Sequence, residues 1–151
     1  MSDAALTETM AEIFARHRGR EGPMLPILHS VMEAFGHIPE AAVSLIADHL
    51  NIGRAEVHGV VSFYHDFRKA PAGRHVLKIC RAEACQAVGG AALSQAVLDT
   101  LDLDWGGTTP DGRVTVEPVY CLGLCACGPA AMIDNRVIGR ADETKIEEAL
   151  T

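Results

Sequence analysis

The chain is short of aromatic side chains, positive charge and long apolar runs, and each shortage excludes a class of protein. Of its 151 residues, 5% are aromatic and 13 are Lys or Arg against 20 Asp or Glu, a formal net charge of −7. No Lys/Arg run exceeds two residues, which disfavours binding to nucleic acid through its phosphates. No apolar run approaches the roughly 18 residues of a membrane span, and the N-terminus lacks a signal-peptide pattern. We therefore expect a cytoplasmic protein with no membrane span and no nucleic-acid partner.

Motifs for nucleotide binding and for zinc hydrolysis are also absent. The sequence contains no G-x-G-x-x-G, no G-x4-G-K-[ST] and no H-E-x2-H. We therefore expect no dinucleotide, ATP or hydrolytic zinc site on this chain, and we assign no catalytic residue and no residue to an organic cofactor. Hydrophobic residues nevertheless make up 48% of the chain, which is typical of a folded globular protein.

The five cysteines all lie in the second half of the chain, in two clusters. Cys80 and Cys85 are spaced C-x4-C, Cys121 and Cys125 are spaced C-x3-C, and Cys127 follows two residues later. In a reducing compartment such clusters indicate metal or redox chemistry rather than disulfides. The absence of C-x2-C argues against a zinc ribbon and against a thioredoxin-type redox pair. Four thiolates from two loops suit a [2Fe–2S] cluster, and the simplest ligand set is Cys80, Cys85, Cys121 and Cys125.

The cysteine spacing leaves several points open. Either each pair holds one iron or each pair bridges both irons. Cys127 is interpreted as a small buried hydrophobic residue outside the ligand set, because residues two apart on a loop rarely both face one small cluster. The other hypotheses are a zinc-stabilised interaction module, a thiol oxidoreductase or peroxide sensor with a reactive cysteine, and a set of unliganded core cysteines.

Hydrophobic periodicity predicts helices in the first half of the chain and a mixed structure in the second. The predicted helices of the first half cover about 3–18, 25–35, 40–50 and 55–64. Pro71-Ala72-Gly73 is a predicted linker. Beyond it we expect a strand into Cys80, a helix over about 91–100, a strand over about 113–120, a hairpin around Asp134-Asn135 and a helix over about 142–150.

This order of elements predicts an α+β or α/β protein with two domains, a helical bundle over residues 1–72 and a sheet domain over residues 73–151. Each cysteine pair directly follows a predicted strand, so we expect the four thiolates at one edge of a single sheet. Phe63, Tyr64 and His65, at the end of the fourth helix, are interpreted as core packing rather than as a cofactor contact, and an interface role is the alternative hypothesis. Four glycines are expected to let backbone N–H groups approach the sulfurs, which raises the reduction potential of a cluster; they are Gly89, Gly90, Gly123 and Gly128.

The cysteine spacing and the helical segment together resemble a known family. The cysteine spacing is similar to that of the thioredoxin-like [2Fe–2S] ferredoxins. It consists of C-x4-C, 35 intervening residues and Cys121-Leu-Gly-Leu-Cys125. Residues 34–40 and 56–64 resemble the helical N-terminal part of the 24 kDa subunit of respiratory NADH dehydrogenase (complex I). The resemblance implies an N-terminal helical bundle followed by a thioredoxin-like ferredoxin domain, with the cluster ligands Cys80, Cys85, Cys121 and Cys125.

Two features depart from the complex I pattern. Arg81 stands where the complex I subunit has a small polar residue, and Cys127-Gly-Pro129 replaces a cysteine-free stretch. Both are similar to the gamma subunit of NAD-dependent molybdenum formate dehydrogenase, which we favour over the equivalent subunit of complex I or of an NAD(P)-linked hydrogenase. This departure also makes Cys127 available as a substitute ligand if Cys125 is lost.

The same resemblance implies a role and a set of partners. The chain is expected to be a non-catalytic electron-transfer subunit whose helical bundle docks on a flavin/NAD-binding subunit, in a complex with a molybdenum-containing subunit. FMN, NAD and molybdopterin are then expected only on those partner subunits.

Overall fold

The computed structural model describes residues 3–151, which form two compact units divided between Pro71 and Ala72. The first unit contains the N-terminal helices and the second contains the sheet. The predicted boundary, between residues 72 and 73, lies one residue from this division. Within residues 3–151, no helix has both the length and the apolar character needed to cross a membrane.

The helical unit follows the predicted pattern. Its helices are α1 (Asp3–Arg16), α2 (Met24–Phe35), α3 (Glu40–Leu50) and α4 (Arg54–Phe63). Gly36 closes α2 at a φ of 72°, a left-handed conformation that glycine adopts without the steric cost of a side chain. The apolar stripes of the helices meet in one core, which includes Met10, Ile13, Ile27, Leu28, Val31, Ile46 and Val57.

The aromatic end of α4 contradicts its interpretation as core packing. Phe63 is 73% exposed and Tyr64 is 42% exposed, and their rings contact each other edge to face. The buried aromatic residue of this segment is Phe67, which is 4% exposed and contacts Tyr64 and His29. Phe63 lies off the buried face of α4, which contains Val57 and Val61. After Phe63 the helix ends, and helical spacing no longer decides which side chains are buried.

The sheet unit contains four strands and three helices. Along the chain they are β1 (His75–Cys80), α5 (Glu83–Ala87), α6 (Gly90–Leu101), β2 (Val114–Val119), β3 (Ala130–Ile133), β4 (Arg136–Gly139) and α7 (Glu143–Ala149). The strand order in the sheet is β2-β1-β3-β4. Strands β1 and β2 are parallel, with Cys80 opposite Val119, and β3 pairs antiparallel with both β1 and β4. Apolar side chains of the strands and of α6 and α7 form the core, including Leu77, Ile79, Leu93, Val97, Val114, Val116 and Ile146.

The predicted order of elements lacks two short helical segments. Helix α5 begins after Cys80 and contains Cys85, and a 3-10 turn covers Cys125–Cys127. With 5 residues, α5 is too short for a helical period of about 3.6 residues to be recognised. Its composition was the available signal, since Glu, Ala and Gln are good helix formers.

The turn between β3 and β4 is tied to the start of β1. The Asp134 carboxylate accepts hydrogen bonds from the Val76 backbone N–H at 2.9 Å and from His75 Nδ1 at 3.0 Å. The Asp134 N–H in turn donates to the Val76 carbonyl at 2.9 Å. The hydrogen bonds from His75 and then from Val76 hold the pKa of Asp134 below its ordinary value. These bonds therefore fix the β3–β4 hairpin to the start of β1, whereas Cys80 lies at the other end of that strand.

We expect Asp134→Asn to destabilise the sheet unit in a pH-dependent way. A carboxyl group whose pKa is lower in the folded chain stabilises the fold only while it is ionised. Its contribution is therefore present above the unfolded pKa of about 3.9 and is lost as the pH falls through the lower folded value. Thermal unfolding of both proteins, measured from neutral to acidic pH, should show the largest difference at neutral pH and convergence in acid. An equal difference at every pH would contradict this role of the carboxylate.

Candidate metal centre

The cysteine pairs lie at one edge of the sheet. Strands β1 and β2 run parallel and end side by side, with Cys80 opposite Val119, so the segments that follow them start at the same edge. Cys80 is the last residue of β1, and Cys85 lies in α5. Cys121 follows the end of β2 by two residues, and Cys125 begins the 3-10 turn. The structure thus brings together the four residues that the sequence predicts as ligands.

The thiols interact both within and between the pairs. The side chains of Cys80 and Cys85 lie close enough to affect each other's ionisation, and so do those of Cys121 and Cys125. Between the pairs, the charge of Cys125 interacts with those of Cys80 and Cys85. Within residues 3–151, no three His, Cys, Asp or Glu side chains converge on a single position suited to one metal ion. Two pairs of thiols fit a two-iron group, in which each iron takes two thiolates.

The two pairs differ in their exposure to solvent. Cys80 and Cys85 are 2% and 1% exposed, and they pack against Ala130. Cys121 and Cys125 are both exposed. The pair that follows β1 therefore belongs to the interior of the sheet unit, whereas the pair that follows β2 reaches its surface.

Neighbouring sulfurs disfavour ionisation of one thiol in each pair. Burial, followed by the hydrogen bond with Cys80, raises the pKa of the Cys85 thiol. The hydrogen bond with Cys121, followed by its charge, raises the pKa of the Cys125 thiol. Four thiolates so close together repel one another unless a cation lies among them, and a coordinating metal ion supplies that charge. The donor set therefore fits an iron–sulfur group.

Backbone N–H groups reach two of the four sulfurs. The Gly123 N–H donates to Cys121 Sγ at 3.3 Å, as expected for one of the four glycines beside the cysteines. The Ala130 N–H donates to the Cys85 thiol, a contact for which the local sequence offers no signal. Ala130 is the first residue of β3 and reaches Cys85 only through the tertiary fold.

Gly90 and Gly128 leave room for the chain around Cys85. A Cβ atom on Gly90 would lie 2.7 Å from the Cys85 carbonyl oxygen, which allows α6 to begin directly against α5. A Cβ atom on Gly128 would lie 2.9 Å from Val88 Cγ2 and 3.6 Å from Cys85 Sγ. Gly89, at a φ of 95°, turns the chain between the two helices. Gly89, Gly90 and Gly128 thus allow close packing of the chain around the Cys85 thiol.

Cys121 has an unusual backbone conformation. Its φ is 149°, a region that residues with a side chain rarely adopt. The chain then turns through Gly123, at a φ of 74°, whose N–H meets the Cys121 sulfur. Backbone strain of this kind concentrates at binding and catalytic sites. The strain at Cys121 is therefore a second observation, independent of the thiol contacts, that marks this edge as functional.

Cys127 is half-buried rather than buried, which corrects its interpretation as a small buried hydrophobic residue. It packs against β4, where a Cβ atom on Gly139 would lie 3.1 Å from Cys127 Cβ, and its carbonyl accepts a hydrogen bond from the Arg140 N–H. The strand β4 is at the edge of the sheet. The availability of Cys127 as a substitute ligand stays a prediction.

The family to which the chain belongs is identified by a match that covers nearly the whole chain. Residues 10–151 match the sequence profile described as thioredoxin-like [2Fe-2S] ferredoxin. The chain belongs to this family. Its cofactor is a [2Fe–2S] cluster, in agreement with the paired thiols, and the predicted thioredoxin-like fold is confirmed.

Relatives of this ferredoxin are subunits of redox complexes. It is 33% identical over 131 residues to NADP-reducing hydrogenase subunit HndA of Solidesulfovibrio fructosivorans, covering 87% of this chain and 77% of the relative. It is also 33% identical over 147 residues to an NADH-quinone oxidoreductase subunit of Escherichia coli strain K12, covering 97% and 89%. Its fold matches one chain of an air-oxidised NAD+-reducing [NiFe]-hydrogenase with a TM-score of 0.68 and 26% identity, over 85% of this chain and 22% of that chain. This ferredoxin thus spans about a fifth of that hydrogenase chain.

We expect Gly90→Ala to reduce both stability and cluster content, because the added Cβ would collide with the backbone of Cys85 rather than with a flexible side chain. Gly59→Ala is the matched control. Gly59 lies in α4 with nothing within 4 Å of an added Cβ, and alanine favours a helix over glycine by about 1 kcal/mol. Thermal unfolding and visible absorbance per mole of chain measure the two effects. Equal behaviour of the two variants would contradict the close packing of α6 on α5.

Proposed function

We propose that this ferredoxin is an electron-transfer subunit of an oxidoreductase complex and that Cys80, Cys85, Cys121 and Cys125 hold its cluster. The observation that carries the proposal is the meeting of two thiol pairs at one sheet edge, each following one of two parallel strands. A [2Fe–2S] cluster supplies exchange of one electron at a time. The chain itself makes and breaks no substrate bond; its residues hold the cluster and set its surroundings.

The difference in exposure between the pairs supports this role. The buried residues Cys80 and Cys85 keep water from one side of the site, and the exposed residues Cys121 and Cys125 bring the other side to the surface. Electron transfer between proteins falls off steeply with the distance between redox groups. The edge that carries Cys121 and Cys125 is therefore the face that meets the redox partner.

We further propose that the redox partner is a flavin/NAD-binding subunit that carries FMN. The support is the similarity to subunits of an NADP-reducing hydrogenase and of NADH-quinone oxidoreductase, both of which are named for reactions of nicotinamide nucleotides. FMN and NAD then bind to the partner, in agreement with the lack of any dinucleotide motif in this chain.

The helical unit is proposed to dock on that partner. Its surface exposes Phe63 and Tyr64, and beside them lies an apolar groove of about 550 Å³. Exposed aromatic and apolar surface of this kind is typical of protein interfaces. The groove is lined mostly by apolar residues, among them Met24, Leu25, Leu50, Ile52, Val60 and Tyr64.

The parent complex that we favour is an NAD-dependent molybdenum formate dehydrogenase, in which this chain takes the place of the gamma subunit. Arg81 and Cys127-Gly-Pro129 support this choice, because both depart from the complex I pattern. Molybdopterin then belongs to a molybdenum-containing subunit. The second candidate is the equivalent subunit of complex I or of an NAD(P)-linked hydrogenase. Its support is the similarity of this chain to the two named relatives.

Replacement of single cysteines tests the ligand set. Cys121→Ser should lose or alter the visible absorbance and the EPR signal of the dithionite-reduced protein, because it removes one of four thiolates. Cys127→Ser, the matched control, should retain both signals and about two irons and two sulfides per chain. The proteins are purified anaerobically from an iron-replete host. A folded wild-type protein that contains zinc or no metal would reject the proposal.

Co-purification identifies the parent complex. The tagged chain is purified anaerobically from its native host, and its partners are identified by mass spectrometry. We expect a flavin subunit together with a molybdopterin subunit. Hydrogenase or complex I core subunits would instead support the second candidate, and the absence of any flavin subunit would contradict the proposed redox partner.

A further inference from the structure

Arg81 and Trp105 form a cation–π pair. Arg81 directly follows Cys80, and its guanidinium carbon lies 5.1 Å from the centroid of the Trp105 ring, which is within the range of an effective contact. Trp105 is the one tryptophan of the sequence, and its ring packs against the core of the sheet unit. A core-anchored ring therefore holds the guanidinium of the residue that follows a proposed ligand in the chain.

The backbone of Arg81 is fixed on both sides as well. Its N–H donates to the Val119 carbonyl at 2.7 Å, which continues the pairing of β1 with β2 past Cys80. Its carbonyl accepts a hydrogen bond from Gln86 Nε2 at 2.9 Å. Both bonds attach Arg81 to segments that also carry the thiols, since Gln86 follows Cys85 in α5. The position of Arg81 is thus determined by the same elements as the site.

The cavity that Arg81 lines has no acidic side chain in its wall. Arg81 is half-buried, and the cavity has a volume of about 170 Å³ and is also lined by Gln86, Ser94, Gln95 and Trp105. A second cavity that includes Trp105 is lined by three acidic residues, Asp99, Asp102 and Asp104. Their negative charges act in the opposite direction to the positive charge of Arg81.

We propose that Arg81, held on Trp105, raises the reduction potential of the cluster. One-electron reduction takes [2Fe–2S]2+ to [2Fe–2S]+ with no proton, so a fixed positive charge nearby stabilises the reduced form more than the oxidised form. Arginine suits this role because its guanidinium is always charged and its plane stacks on aromatic rings, which a lysine ammonium does not do. The inference rests on the proposed function, and Arg81 acts through space rather than as a ligand.

The test compares midpoint potentials of cluster-loaded full-length proteins by EPR-monitored titration with dithionite. We expect Arg81→Gln to lower the midpoint, and we expect the shift to shrink as salt is added, because the charge is only half-buried. Arg136→Gln is the matched control: it removes the same charge from an exposed position opposite Ile133, at the other end of the sheet from Cys80. Its midpoint should equal that of the wild type.

Two further variants separate the charge from the ring. Arg81→Lys keeps the charge without the planar stack, and Trp105→Leu removes the ring without changing the formal charge. Both should give midpoints between those of the wild type and Arg81→Gln. If Arg81→Gln does not bind a cluster, Arg81→Lys and Trp105→Leu still test the proposal. Midpoint potentials equal to that of the wild type in both of these variants would overturn it.

Iron and sulfide analysis precedes every titration and separates the two possible failures. A wild-type protein without a cluster would reject the proposed function. Loaded variants of Arg81 whose midpoints equal that of the wild type would overturn the present inference and leave the proposed function intact.

Discussion

The parallel pairing of β1 with β2 is the constraint on which the site depends. The two strands end at one level, with Cys80 opposite Val119, and each is followed at once by a segment that carries cysteines. Residues that are far apart in the sequence therefore meet at one sheet edge. A slip of one residue in this register would turn Cys80 to the other face of the sheet, so the hydrophobic core that sets the register also sets the position of the thiols.

The two thiol pairs have different structural supports. Cys80 and Cys85 are held by the interior, through Ala130 and through the close approach that Gly90 permits between α5 and α6. Cys121 is held by its own turn, in a strained conformation that places the Gly123 N–H on its sulfur. The site therefore joins a rigid half built from regular elements with a half built from a loop.

Much of this architecture can be predicted from the sequence, because the strongest signals are local. The apolar stripes of α1 to α4 and the position of each cysteine pair after a strand need only neighbouring residues to be recognised. The contact of Ala130 with Cys85 and the placement of Trp105 under Arg81 arise only when the sheet has formed. The exposure of Phe63 agrees with helical spacing, because the buried face of α4 contains Val57 and Val61 and Phe63 lies off that face.

The exposure of Cys121 and Cys125 makes one side of the site the open side. Chelators, dioxygen and other small reagents in solution meet these two sulfurs first, whereas Cys80 and Cys85 lie behind packed side chains. In an assembled complex, a neighbouring protein that covers this edge would also shield the iron. If the redox partner meets this edge as proposed, one surface serves both electron exchange and chemical protection of the cofactor.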